Sequence, residues 1–100
     1  MSITVDKAQS QIRQTVLGAI AKAQSKGLLP EGEANAFSVE VPADRNNGDY
    51  STNAAMVNAK AFRLPPVKIA QAIMENADLE GTYFKEIRIA KGMKFIELHG

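Results

Sequence analysis

Tyr83-Phe84-Lys85-Glu86-Ile87-Arg88-Ile89-Ala90-Lys91-Gly92-Met93-Lys94-Phe95-Ile96-Glu97-Leu98 is the stretch on which the fold turns. Ile87 and Ile89 share one face of a first extended run, from Tyr83 to Ala90. Ile96 and Leu98 share one face of a second, from Met93 to Leu98. Alternation with period two marks half-buried strands. Lys91-Gly92 between them suits a tight hairpin turn. If Ile96 and Leu98 point inward, Met93, Phe95 and Glu97 point outward.

A sheet with one apolar face needs a layer to cover it, and the rest of the chain supplies helices. Ala8, Ile12, Val16, Ala19, Ile20 and Ala23 form a single helical stripe, predicting a helix from about Val5 to Gly27. Asp6 is its expected N-cap and Gly27 its stop. Gln9, Arg13, Gln14 and Lys22 lie off the stripe and should face solvent, while Leu28 and Leu29 should tuck under the helix end. Phe37 to Val41 alternates as a strand with Phe37, Val39 and Val41 inward, and Pro42 ends it. Pro42 to Asp49 reads as a turn-rich loop with Asn46-Asn47-Gly48 at its tip. An alanine-rich helix is expected from about Ser51 to Phe62. A third starts at Pro66 with Val67, Ala70, Ile73, Met74 and Ala77 on one face, ending near Asn76 to Asp78. The predicted class is α+β: one domain over residues 1–100, with three helices on one face of a small antiparallel sheet of three to four strands.

Composition removes several functions. The 100 residues hold 12 Lys/Arg against 11 Asp/Glu, a net charge of +1, so the whole surface is not a basic nucleic-acid binder, although a local patch can be. With no cysteine, disulfide, thiol and Cys-based zinc chemistry are out. The one histidine, His99, stands at a terminus, a poor place to hold a triad or metal geometry. No metal site and no catalytic constellation is expected. There is no targeting segment, and no apolar run nears the roughly 18 residues that span a bilayer. The expectation is a soluble, cytoplasmic chain with neither membrane nor DNA as a partner.

Two places carry polar chemistry. Gly48-Asp49-Tyr50-Ser51-Thr52-Asn53 could present helix-start N–H groups to a phosphate, but the Asp49 carboxylate would compete there. The simpler reading is structural. Gly48 permits the turn, Asp49 or Ser51 caps the helix for roughly 1 kcal/mol, and Asn53 pins the preceding loop. Tyr50 either packs on the core or offers its ring to a partner. The second place is the last strand pair. An outward Phe95 is a platform for a nucleic-acid base. Lys91, Lys94 and Arg88 lie near it to neutralise phosphates, and Glu97 can accept from an exocyclic amine. The alternative is that Phe95 and Met93 bury against another protein domain. Asp44, Glu31 and Glu33 read as solvated loop charges.

Together, Val39-Glu40-Val41-Pro42-Ala43-Asp44, Gly48 to Met56, Ala59-Lys60, and Pro66 followed by Ile69-Ala70 and Ile73 resemble the N-terminal additional domain of arginyl-tRNA synthetase. The resemblance spans roughly residues 1 to 98. It implies a small α+β appendage that grips the D-loop corner of an arginine-accepting tRNA and works with the catalytic domain of the same enzyme. It further implies that ATP and magnesium belong to that full enzyme, with no cofactor in this domain. The family usually ends the domain on a G-P-G-F-I-N-F-like strand, whose aromatic and Asn meet the nucleotide. Here Phe95 and Ile96 match, Glu97 stands in place of the Asn, and the G-P-G run is absent. A carboxylate accepts hydrogen bonds but cannot donate them as an amide does. The family's H-I-G-H-like and K-M-S-K-like signatures do not occur, so these 100 residues alone should not aminoacylate tRNA.

Overall fold

The computed structural model describes residues 3–41, 49–90, 92 and 94–100. Helix α1 (Val5–Ser25) is followed by strands β1 (Val39–Glu40) and β2 (Asp49–Thr52). Helices α2 (Ala54–Phe62) and α3 (Pro66–Asn76) come next, then strands β3 (Glu86–Ala90) and β4 (Phe95–His99). The sheet is antiparallel throughout, in the order β1-β2-β4-β3, and the three helices cover one face. The α+β class is as the sequence predicts.

The centre of the core is where the alternation of β4 placed it. Ile96 and Leu98 are 0% exposed. Ile96 stands between Thr52 and Ile89, and Leu98 between Tyr50 and Ile87, so one face of three neighbouring strands is apolar. Against it lie Ile12, Val16, Ile20, Ile69 and Ile73 from the helices, all buried.

Several expectations are corrected. The segment read as a helix cap is a strand: Asp49–Thr52 pairs with both β1 and β4. Tyr50 and Thr52 point inward by the two-residue period, and that pairing outweighs the polarity of the run. The N-cap of α2, which starts at Ala54, is Asn53, so the cap position expected at Asp49 or Ser51 falls inside β2. Asn53 holds the N-cap position without a side-chain cap bond. Its Oδ1 instead accepts from the Ser38 N–H at 2.8 Å, pinning the entry to β1. Gly48 and the rest of the expected loop tip lie outside the described residues.

Helix α1 is capped by Thr4, whose Oγ1 accepts from the Lys7 N–H, and Asp6 sits inside the first turn. Gly27 takes a positive φ of 78°, the conformation that stops a helix at little cost. Only Leu29 tucks in, at 3% exposure; Leu28 is 50% exposed. Gln9 and Arg13 turn to the sheet edge rather than to water alone. Gln9 Nε2 donates to the Val39 carbonyl, and the Arg13 guanidinium donates to the Phe37 carbonyl and lies over the Phe37 ring. The strand expected over Phe37 to Val41 pairs only at Val39–Glu40, and Val41 is exposed. The α3 face is rotated: Ile69, Ala70, Ala72, Ile73 and Asn76 are buried, with Val67, Met74 and Ala77 half-buried. Tyr83 and Phe84 precede β3; Phe84 is a core anchor packed edge-on against Tyr50.

One buried polar group ties two segments together. Asn58 Oδ1 accepts from the Asn35 N–H at 2.6 Å, while its Nδ2 donates to the Ala54 carbonyl at 2.8 Å. Asn58→Ala strips the Asn35 N–H of its partner and is expected to cost about 1–3 kcal/mol in urea denaturation. A loss below about 0.5 kcal/mol, the size of an ordinary surface change, would mean that water replaces the amide there.

Candidate nucleic-acid interface

The face of the sheet away from the helices is built by register. Glu40, Ser51, Glu97 and Arg88 stand in one row across all four strands. Asp49, His99 and Glu86 form the row towards one end, and Phe95 pairs with Ala90 at the other, where the β3–β4 hairpin turns. Phe95 and Glu97 are half-buried, and Lys94 and Arg88 are exposed. Phe95, Glu97 and Arg88 are thus brought to one surface, while Lys94, two residues before the inward Ile96, lines a recess with Pro66 and Val67 of α3. Lys91 and Met93 lie outside the described residues.

Tyr50 is not part of that surface. It is 5% exposed on the helix-covered face, with the Phe84 ring 5.7 Å away, so its ring is committed to the core. Of the two readings the sequence left open for Tyr50, the core reading holds.

Electrostatically the outer face is two-ended. The Ser51 hydroxyl donates to the Glu40 carboxylate at 3.0 Å. Arg88 Nε donates to Glu86 Oε2 at 3.0 Å, and a second guanidinium nitrogen joins the same oxygen. Both side chains of that pair are more than half exposed, so it adds little stability. It does offset part of the Arg88 charge that the sequence reading assigned to phosphate. His99 Nε2 lies 3.5 Å from Glu97 Oε1. Carboxylates therefore occupy the middle and one end of the face, and the hairpin end carries Phe95 and Ala90, with Lys94 at its α3 side.

Sequence reading passed over Arg63, the C-cap of α2, and Lys68 on the first turn of α3, both exposed. The signal was present: the chain leaves α2 towards Leu64-Pro65-Pro66 with no Gly or Asn at the stop. Among the described residues, no group of three or more His, Cys, Asp or Glu could hold a metal ion. Among them too, no helix is long and apolar enough to cross a membrane.

This arrangement defines a class: a small α+β module with helices on one side of the sheet and, among the described residues, a strand face that no helix covers on the other. Its family follows from comparison. The model of the arginyl tRNA synthetase N terminal domain matches residues 10–97. An arginine–tRNA ligase of Acetivibrio thermocellus is 36% identical over 90 residues, covering 90% of this chain and 16% of that protein. One from Staphylococcus aureus is 43% identical over 89 residues, covering 89% of this chain and again 16% of the relative. The chain belongs to the arginyl-tRNA synthetase N-terminal domain family, and it spans about one sixth of the length of these curated relatives.

Proposed function

We propose that the chain is the tRNA-contacting appendage of an arginine–tRNA ligase and meets the D-loop corner of arginine-accepting tRNA with the hairpin end of its bare sheet face. Phe95 stacks on an unpaired base, Glu97 accepts from an exocyclic amine, and Lys94 with Lys91 neutralises phosphates. Arg88 contributes through the guanidinium edge turned away from Glu86. The observation that carries the reading is the outward, uncovered-by-helix position of Phe95 at the hairpin end. ATP and magnesium belong, in this reading, to the catalytic part of the ligase, whose nucleotide-binding signatures these 100 residues lack. The site of action is the cytoplasm.

One observation favours a second reading. The carboxylates of Glu40, Glu97 and Glu86 line the middle and one end of the same face, which suits docking on a basic protein surface better than on phosphates. In that case the chain contacts the catalytic part of its own enzyme and not RNA. Fluorescence anisotropy separates the two. The 100-residue chain is expected to bind an arginine-accepting tRNA transcript at low salt, more weakly a control tRNA, and to lose affinity steeply as salt rises. No binding at low salt, or binding indifferent to salt, contradicts RNA contact and leaves docking.

A further inference from the structure

We propose that the corner between α2 and α3 is a second RNA contact, a phosphate-binding ridge carried by Arg63, Lys68 and Lys94. The proposal rests on the tRNA reading above and extends it beyond the sheet face.

The backbone draws attention to the corner. Arg63 has φ 54° and ψ 43°, the only non-glycine with positive φ among the described residues. Its N–H and that of Leu64 both reach the Ala59 carbonyl, closing α2 and turning Leu64 back against the core. Helix ends of this kind favour glycine, because a Cβ in the left-handed region crowds the following carbonyl. Here that position holds a long cationic side chain. Among the described residues the Arg63 guanidinium has no hydrogen bond or ion pair, so none of them accounts for the charge.

Charge patterning points the same way. Residues 50–74 contain Lys60, Arg63 and Lys68 and no Asp or Glu. Residues 87–96 contain Arg88, Lys91 and Lys94 and again no Asp or Glu. The fold brings these two acid-free segments together: Pro66 and Val67 at the start of α3, with Gly92 and Lys94 of the hairpin, line one small recess of about 170 Å³. No acidic side chain and no side-chain cap offsets the first turn of α3, whose partial positive charge adds to the patch. The first carboxylate along α3 is Glu75, near its other end, where Asp78 and Glu80 follow. The cationic corner is not free of carboxylates: Lys68 shares a second recess with Leu64 and Glu75. Cations displayed singly on exposed corners neutralise a repeating polyanion, and the ridge abuts the hairpin end that carries Phe95.

The test is a salt series of tRNA binding to the 100-residue chain, by anisotropy, for the wild type, Arg63→Gly, Arg63→Lys, Lys68→Ala and Phe95→Ala. Arg63→Gly is expected to leave the melting temperature unchanged or raised, since glycine suits the backbone there. It should weaken binding several-fold at low salt and reduce the slope of log K against log salt by about 1. Arg63→Lys should keep the slope. Lys68→Ala should lower it as Arg63→Gly does, without touching the corner backbone. Phe95→Ala should weaken binding with the slope intact. If the wild type binds tRNA and Phe95→Ala weakens it, but Arg63→Gly and Lys68→Ala keep the wild-type slope, the ridge is refuted and the sheet-face reading stands. If the wild type does not bind at all, both fall.

Discussion

Leu98→Ala is expected to remove about 2–5 kcal/mol of stability, the range for truncating a fully buried leucine. Leu98 has no exposed surface and stands in register with Tyr50 on one side and Ile87 on the other, at the middle of the apolar face. Truncation leaves a void that three strands and the covering helices must close at once, and a close-packed core relaxes only in part. Domains of this size have a total stability of about 5–15 kcal/mol, so the variant should approach half-unfolding at ordinary temperatures if the wild type lies at the lower end. Urea denaturation measures it: the midpoint should drop while the slope holds. A loss under about 1 kcal/mol would contradict the central place given to β4, because only a site able to collapse freely behaves so.

Phe95→Ala separates function from stability. Phe95 is three residues from Leu98 on the same strand but faces away from the helices. Its loss should therefore cost far less stability than that of Leu98. In tRNA binding the order should reverse. A base stacked on an aromatic side chain is worth about 1–3 kcal/mol, or roughly fivefold to 150-fold in Kd. Phe95→Tyr should retain most of the affinity, since the stacking surface is kept. An alanine variant that binds tRNA like the wild type would remove the aromatic platform from the account. One that melts as early as Leu98→Ala would show that Phe95 serves the core.

What could be read from the residues divides along physical lines. Ile96 and Leu98 were legible because strand alternation is a strict geometric consequence of the backbone, and the burial of both faces of that decision is all or none. The α1 stripe of Ile12, Val16 and Ile20 was legible for the matching reason in a helix. Strand β2 was not. Asp49-Tyr50-Ser51-Thr52 is short, with three polar residues of four, and it becomes a strand only because β1 and β4 supply partners from elsewhere in the chain. That same missed strand misplaced Tyr50, whose inward side follows once its register with Leu98 is known. The rotation of the α3 face has a similar origin: Ile69 and Asn76 are chosen by the neighbours of the helix, not by its own pattern. For the interface, residue type and period put Phe95 and Glu97 outward. The Glu86 partner of Arg88 is also readable, two positions away on one strand face. What the sequence could not reveal was that acid-free segments 50–74 and 87–96 meet in space at the start of α3.

The central claim is that the hairpin end of the bare sheet face meets tRNA. The most direct measurement is a titration of the isotopically labelled 100-residue chain with unmodified arginine-accepting tRNA at low salt, followed residue by residue by NMR. The account predicts shifts concentrated at Ala90, Lys94, Phe95 and Glu97 and extending to Arg63 and Lys68, reversed by added salt and weaker with a control tRNA. Tyr50, on the covered face, should move little. Shifts confined to the solvent side of α1, or none at saturating tRNA, would contradict it.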